Sequence, residues 1–374
     1  MLIGVPREIK NNEFRVGLTP ASVREVVAQG NQVVVETMAG AGIGVSDQAY
    51  ETAGASIAAS AKDVFAKADM IVKVKEPQAG ERKMLRAGQI LFTYLHLAPD
   101  PEQAKDLIAG GAVCIAYETV TSPSGGLPLL APMSEVAGRM AIQAGAGCLE
   151  KERGGLGILL GGVPGVAPAK VVILGGGVVG SNAAIISVGM GADTVVIDRS
   201  NEVLRALDRQ FGTRLKTIFS TRDAIEKHVI GADLVIGGVL IPGAAAPKLV
   251  TRADIKQMKT GAVVVDVAID QGGCFETSRP TTHAEPTYVV DGVVHYCVAN
   301  MPGAVPRTST FALNNATLPY VLAIAESGYR KSLENNAHLR NGLNICAGRV
   351  TCREVAEALN YPYEDALEAL KRTA

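Results

Sequence analysis

A glycine-rich turn between an apolar strand and an alanine-rich helix constrains the fold of this chain more than any other feature. The predicted strand Lys170–Leu174 runs into Gly175–Gly180, whose sequence Gly-Gly-Gly-Val-Val-Gly has the spacing Gly-x-Gly-x-x-Gly. The first glycine permits a tight turn, the second lets the backbone approach a pyrophosphate, and the third lets the helix pack closely on the strand. The N–H groups at the start of the helix suit phosphate oxygens. This pattern predicts a dinucleotide-binding unit.

An acidic residue at the end of the next predicted strand supports that interpretation. The strand Thr194–Asp198 ends in a carboxylate at the distance from the glycines that NAD binding requires. Asp198 should accept hydrogen bonds from the adenosine ribose and repel a 2′-phosphate, so the sequence predicts NAD rather than NADP. Arg199 follows directly and could soften that rejection. The alternative is a glycine-rich turn beside a surface aspartate.

Apolar runs alternate with helical patterns along most of the chain, which favours parallel sheets. We predict an α/β fold of two Rossmann-like lobes, each with a mainly parallel sheet flanked by helices. The substrate domain is expected at 1–128 plus 306–374, and the NAD-binding domain at 129–305. After Pro306 the pattern is helical, so we expect helices to the end of the chain, packed on the first lobe. The predicted strands are Leu2–Val5, Gln32–Glu36, Met70–Lys75, Gln89–Tyr94, Ala112–Tyr117, Lys170–Leu174, Thr194–Asp198, Leu234–Gly237 and Ala262–Val267.

Composition narrows the class of protein. The 374 residues suffice for two domains, and the 36 Lys and Arg against 37 Asp and Glu give a net charge of -1. Near-neutrality argues against nucleic acid or an anionic membrane as partner. No apolar stretch is long enough to span a bilayer, and no targeting segment is evident. The six cysteines are scattered without a CxxC pair, which favours reduced thiols and a cytoplasmic location.

Four polar residues outside the glycine loop stand out because their surroundings are apolar or glycine-rich: Arg15, Lys75, His96 and Asp270. A guanidinium suits a substrate carboxylate through bidentate hydrogen bonds. The other three residues end predicted parallel strands, which is where ligands bind in open α/β sheets. These residues are the candidates for substrate binding and acid–base chemistry.

Each of the four also has a simpler interpretation. Arg15 could be an ordinary surface charge, and His96 could be a structural histidine. Lys73 and Lys75 are two residues apart on one predicted strand, so their side chains point to the same face and both could face solvent. Asp270 could form a turn before a glycine. The residues alone leave these alternatives open.

Several long stretches make the chain resemble the alanine dehydrogenase family over nearly its full length. The matching stretches are Pro6–Glu8, Asn11–Val16, Val72–Pro77, Leu95–Ala98, Ala116–Val120, Leu129–Arg139, Asp266–Cys274 and Val298–Pro302. The resemblance implies an enzyme that oxidises L-alanine with NAD and water to pyruvate, ammonium and NADH, reversibly. It also implies a homohexamer that acts on small molecules.

The resemblance assigns roles to individual positions. Arg15 and Lys75 match substrate-binding residues, His96 matches the acid–base residue, and Asp270 matches a second catalytic residue. Together with the glycine loop, the predicted cofactor contacts are Ser134, Gly175, Gly177, Val178, Val179, Gly180, Asp198, Ser220, Val239, Leu240, Ile269, Arg279, Val298, Ala299, Asn300 and Met301.

The chain departs from some family members at two positions. Val203 stands where some have a basic residue near the adenosine, and Ser327 stands where some have a histidine that binds a metal with a glutamate matching Glu118. We therefore expect no metal. Three other classes of protein remain: the NAD-binding component of a proton-translocating transhydrogenase, a saccharopine-type dehydrogenase, and a non-catalytic NAD sensor. His96 between two leucines argues against the first, because that component needs no substrate acid or base.

Overall fold

The computed structural model describes residues 1–239 and 246–372. These residues form two compact units, and the chain passes between them twice. Unit 1 contains Met1–Met133 and the carboxy-terminal segment from Val305, and unit 2 contains Ser134–Ala304. One helix, Ala131–Cys148, contains the first boundary.

In the described part of unit 1, eight strands form one sheet. The strand bounds are β1 Leu2–Val5, β2 Gln32–Glu36, β3 Ser56–Ala58, β4 Met70–Val72, β5 Ile90–Thr93, β6 Val113–Ala116, β14 Leu343–Cys346 and β15 Arg349–Val350. Their order across the sheet is β15-β14-β6-β5-β4-β1-β2-β3. β1 to β6 are parallel, whereas β14 is antiparallel to β6 and β15 is antiparallel to β14.

Helices connect these strands, and local sequence explains where the first of them begins. The helix Pro20–Ala28 starts with proline after Thr19, whose side chain accepts a hydrogen bond from the Ser22 N–H. The helices of unit 1 are α1 Pro20–Ala28, α2 Asp47–Thr52, α3 Ala61–Lys67, α4 Ala79–Arg82, α5 Pro101–Gly110, α11 Pro306–Asn335, α12 Ala337–Arg340, α13 Arg353–Leu359 and α14 Ala366–Arg372.

The carboxy-terminal segment departs from the predicted run of helices. α11 is long and is interrupted at Gly328, whose φ of 74° lies outside the helical region. The segment then supplies β14 and β15, which extend the sheet beyond β6. The expectation of helices to the end of the chain was therefore wrong, because two short strands contribute too few residues to show a period of two.

In the described part of unit 2, seven strands form a second sheet. The strand bounds are β7 Lys170–Leu174, β8 Asp193–Asp198, β9 Lys216–Phe219, β10 Leu234–Gly237, β11 Val263–Asp266, β12 Thr287–Val290 and β13 Val293–Tyr296. Their order across the sheet is β12-β13-β11-β10-β7-β8-β9. All neighbours are parallel except β12 and β13, which form a hairpin. The predicted α/β class with two mainly parallel sheets is confirmed.

The helices of unit 2 pack on this sheet. α7, Val178–Gly189, follows the glycine loop directly and consists mostly of small and apolar residues. The remaining helices are α6 Ala131–Cys148, α8 Asn201–Phe211, α9 Arg222–Ile230 and α10 Arg252–Gln257. Within residues 1–239 and 246–372, no helix is long and apolar enough to cross a membrane.

Candidate active site

The polar residues of unit 1 gather where its parallel strands end. Glu8 follows β1, Lys75 follows β4, His96 follows β5 and Glu118 follows β6. β1 lies between β2 and β4, so the direction in which successive strands are added reverses at the β1–β4 pair. Ligands of open α/β sheets bind beside such a reversal, at the carboxyl ends of the strands. The carboxyl ends of these strands form the first part of the candidate site.

A buried carboxylate holds the backbone that carries Lys75. Glu8 Oε1 accepts hydrogen bonds from the N–H groups of Val74, at 2.6 Å, and Lys75, at 3.3 Å. On the other side, the Thr93 hydroxyl donates to the Lys75 carbonyl at 3.0 Å. The backbone of Lys75 is therefore fixed between two neighbouring strand ends.

Lys73 is the centre of a buried ion cluster, contrary to the alternative that placed it in solvent. Its side chain is 0% exposed, and its Nζ lies 3.0 Å from Glu8 Oε2 and 2.7 Å from Glu81 Oε1. Burial lowers the pKa of Lys73, but the two carboxylates outweigh burial and raise it. Burial raises the pKa of Glu8 more than Lys73 lowers it, and Glu81 adds to the rise. Two buried carboxylates thus pair with one buried ammonium group.

Arg15 is also buried, so it is not a surface charge. Its side chain is 2% exposed, and Glu13 accepts from Nε at 2.7 Å and from Nη2 at 2.5 Å. The third guanidinium nitrogen, Nη1, points to Met133 Sδ at 3.1 Å. Glu13 therefore orients the guanidinium.

His96 has an unusual backbone conformation that a carboxylate maintains. Its φ is 48°, in the left-handed region that non-glycine residues rarely adopt. Glu118 accepts from the N–H of Leu95 at 3.1 Å and from the N–H of His96 at 2.6 Å. Strained residues of this kind cluster at functional sites. The His96 side chain is 43% exposed, so the ring can meet a ligand.

The glycine loop of unit 2 has the geometry that its sequence predicted for a phosphate-binding turn. Gly175 has a φ of 91°, and a Cβ on Gly180 would overlap the Gly175 carbonyl oxygen. Gly177 precedes the first residue of α7, and no side chain caps that helix end. A Cβ on Gly177 would meet nothing within 4 Å. The loop thus presents uncapped N–H groups beside open space, which fits an anion.

Asp198 lies at the end of β8 and is held firmly against this loop. Its Oδ2 accepts from the Gly176 N–H at 2.6 Å, and its Oδ1 accepts from the Ser200 N–H at 2.7 Å. Each carboxylate oxygen has a second lone pair, so hydroxyl groups of a ligand can still donate to it. The side chain of Val203 packs over Gly176 from the following helix.

Most of the other predicted cofactor contacts follow the carboxyl ends of parallel strands in the same sheet. Ser220 follows β9, Val239 follows β10, Ile269 follows β11, and Val298–Met301 follow β13. Two predicted contacts come from elsewhere: Ser134 lies in α6, and Arg279 lies between β11 and β12 with its guanidinium 4.3 Å from the centre of the Tyr288 ring. Leu240 lies outside the described residues.

Asp270 lies in the short 3-10 helix Val267–Gln271 after β11 and is exposed. The preceding carboxylate, Asp266, is buried and supports this turn. Asp266 accepts from the Cys274 N–H at 2.8 Å and from the Ser278 hydroxyl at 2.5 Å. Burial raises the pKa of Asp266, although these hydrogen bonds oppose the rise. Both interpretations of Asp270, catalytic and turn-forming, are compatible with this position.

No group of three or more His, Cys, Asp or Glu side chains that could hold a metal ion occurs within residues 1–239 and 246–372. Glu118 instead binds two backbone N–H groups. All six cysteines are unpaired and buried.

Comparison with known families accounts for almost the whole chain. Residues 4–137 match the N-terminal domain of alanine dehydrogenase/PNT, and residues 141–353 match the C-terminal domain of the same family. The chain belongs to the alanine dehydrogenase/PNT family. The resemblance inferred from the sequence is thereby confirmed.

Individual relatives of the alanine dehydrogenase/PNT family match at full length. An alanine dehydrogenase of Halomonas elongata is 60% identical over 98% of this chain and 99% of its own length. One of Mycolicibacterium smegmatis is 52% identical over 99% and 100%. A solved structure of an L-alanine dehydrogenase is 53% identical and superposes with a TM-score of 0.94, covering 96% of this chain and 99% of the other.

A transhydrogenase from Sinorhizobium meliloti shares the fold of this alanine dehydrogenase/PNT chain. Its solved structure gives a TM-score of 0.83 at 24% identity, over 94% of this chain and 100% of the other. At that identity the likeness shows the fold alone.

The acidic residues that orient the site were missed by sequence reasoning. Glu8, Glu13, Glu81 and Asp266 are buried beside the candidate residues, yet none was predicted to matter. A charged residue within an apolar run, such as Lys73 in Met-Ile-Val-Lys-Val, was the available signal. A buried charge requires a partner of opposite sign, but the sequence does not say which one.

Proposed function

We propose that this chain is an NAD-dependent alanine dehydrogenase, which catalyses the reversible oxidative deamination of L-alanine to pyruvate and ammonium. The observation that carries the proposal is a set of three residues in a chain that matches proteins named alanine dehydrogenase over its full length. Arg15, Lys75 and His96 lie in the segments that follow the parallel strands β1, β4 and β5 of one sheet. These residue types suit alanine and pyruvate. An arginine binds a carboxylate, a lysine can interact with a carbonyl oxygen, and a histidine can transfer a proton.

The residues of unit 2 fit NAD. The N–H groups at the start of α7 suit the pyrophosphate, and Asp198 suits the adenosine ribose. When bound, NAD supplies the hydride acceptor for the alanine Cα–H. The protein contributes positioning and electrostatics.

The side chains of unit 1 would act on the amino acid. Arg15, oriented by Glu13, would bind the substrate carboxylate. Lys75 would polarise the oxygen that becomes the pyruvate carbonyl. His96 would take a proton from the water that adds to the iminium carbon and return it when ammonia leaves, because an imidazole can both accept and donate a proton. Asp270 would stabilise the positive charge of the iminium.

Assembly and location extend the same proposal. We propose a homohexamer, which the resemblance to the family implies, and a cytoplasmic location, which the scattered cysteines favour. Closed symmetric assembly is common among enzymes of this kind.

The direct test is the rate of NADH formation when purified protein is mixed with L-alanine and NAD, and of NADH consumption with pyruvate and ammonium. We expect both reactions. NADH binding without either reaction would instead favour a transhydrogenase component or an NAD sensor.

Asp198 should set the choice of cofactor. We expect the unmodified protein to use NAD at least about tenfold better than NADP, because an unfavourable charge contact costs more than roughly 1.4 kcal/mol. Asp198→Ala should narrow this gap in kcat/KM. Equal use of both cofactors by the unmodified protein would refute the assignment.

Two glycines of the loop should respond differently to the same added methyl group. Gly177→Ala places its Cβ in open space where a phosphate would lie, so NADH affinity should fall at least about tenfold while the free energy of unfolding changes by less than about 0.5 kcal/mol. Gly180→Ala forces its Cβ onto the Gly175 carbonyl, so stability should fall as well. Fluorescence titration and denaturant unfolding measure both effects. Unchanged NADH affinity in Gly177→Ala would exclude the loop as the phosphate site.

A further inference from the structure

Beside His96 lies a second carboxylate, Glu76, which has no role in the proposed mechanism. Glu76 Oε2 is 3.8 Å from His96 Nδ1. The side chain of Glu76 is 13% exposed, and Oε2 itself is buried with no hydrogen-bond partner in the described part of the chain. A buried carboxylate oxygen without a donor is costly, so its position calls for an explanation.

The surroundings keep Glu76 charged. Burial raises the pKa of Glu76, but Lys75, Lys10 and a hydrogen bond from the Glu76 backbone together outweigh burial and lower it. Lys10 forms an ion pair with the other oxygen, Oε1. The carboxylate is thus anchored through one oxygen while the other faces the imidazole.

The histidine is equally constrained on its backbone side. Glu118 binds the N–H groups of Leu95 and His96, and the backbone of His96 is held at a φ of 48°. The ring can therefore adjust through its side-chain torsions alone. A small rotation would shorten 3.8 Å to the 2.7–3.0 Å range of a hydrogen bond to a carboxylate.

We propose that Glu76 is a positioning residue for His96, an inference that rests on the proposed function. Its Oε2 accepts a hydrogen bond from His96 Nδ1–H, which fixes the tautomer that carries its lone pair on Nε2. Nε2 then takes the proton from water, and the Glu76 carboxylate stabilises the resulting imidazolium. A buried carboxylate performs the same two tasks for the histidine of serine-protease triads.

A double-mutant cycle tests this role, because a residue that acts only through His96 has nothing to do once His96 is gone. Glu76→Ala should lower the kcat of alanine oxidation at least about tenfold, with the KM for alanine and the affinity for NADH within about threefold of the parent. In the His96→Ala background the same substitution should lower the residual kcat by less than about twofold. Glu102→Ala, which removes an exposed glutamate from α5, is the matched control and should change nothing.

The outcomes are separable. An equal loss of kcat from Glu76→Ala in both backgrounds, or parental kcat in Glu76→Ala alone, would overturn the proposal while leaving the proposed function intact. Absence of alanine-dependent NADH formation in the parent would instead refute the function. If Glu76→Ala does not fold, Glu76→Gln keeps the side-chain volume and completes the cycle, with the same near-absence of effect expected in the His96→Ala background.

Discussion

Replacing His96 by alanine should lower the turnover of L-alanine by about 10²–10⁴, the usual contribution of general acid–base catalysis. The reason is its position: the ring is exposed at the strand edge of unit 1, and Glu118 holds its backbone in a strained conformation. Lys75→Ala should be comparably damaging, because it removes a charge aimed at the developing oxygen. Both variants should bind NADH within about threefold of the parent, because the glycine loop and Asp198 are untouched.

Steady-state alanine oxidation and NADH fluorescence titration on the same samples measure these effects. His228→Ala, which changes a histidine in the last turn of α9, is the control and should keep parental turnover. Near-parental turnover in His96→Ala would return this histidine to a structural role. Loss of NADH binding in step with activity would indicate a misfolded protein instead.

Replacing Lys73 by methionine should destabilise the protein by about 3–5 kcal/mol, the usual cost of leaving a buried charge without its partner. The substitution removes the ammonium that lies between Glu8 and Glu81 and leaves two carboxylates facing each other. Glu8 also holds the Val74 and Lys75 backbone, so activity should fall as well.

The pH dependence of the loss of unfolding free energy in Lys73→Met provides a second test. In Lys73→Met a buried carboxyl should hold its proton more tightly when folded than when unfolded. Such a group stabilises the fold at pH values below its unfolded pKa, and that stabilisation is lost as the pH rises through the folded pKa. The deficit in unfolding free energy should therefore shrink from about pH 7 to about pH 5. Lys62→Met, at an exposed position in α3, should cost less than about 0.5 kcal/mol, and an equally small effect of Lys73→Met would contradict the cluster's role.

Features that local sequence determines were predictable. The glycine spacing and the following Asp198 predicted a strand, a tight turn and a helix, and β7, Gly175 and α7 have that form. Alternation of apolar runs with helices predicted two mainly parallel sheets. These patterns depend on residues close together in the chain, where steric and hydrophobic rules act directly.

Features that depend on distant partners were not predictable. β14 joins the sheet only because β6 offers an edge more than 200 residues earlier in the chain. Lys73 can be buried because Glu8 and Glu81 form ion pairs with it. The sequence alone also allowed it to face solvent on the same side of the strand as Lys75. The sequence indicated which residues could do chemistry, whereas the fold determined which carboxylates hold them in place.

The most direct test of the account is the fate of the hydrogen on the alanine Cα. Purified protein is incubated with NAD and L-alanine that carries deuterium at Cα, and the NADH formed is analysed by mass spectrometry. The account predicts that the NADH carries the deuterium, that unlabelled L-alanine gives unlabelled NADH, and that His96→Ala forms the same labelled product more slowly. NADH without deuterium, or no NADH at all, would contradict the claim that this chain transfers a hydride from alanine to NAD.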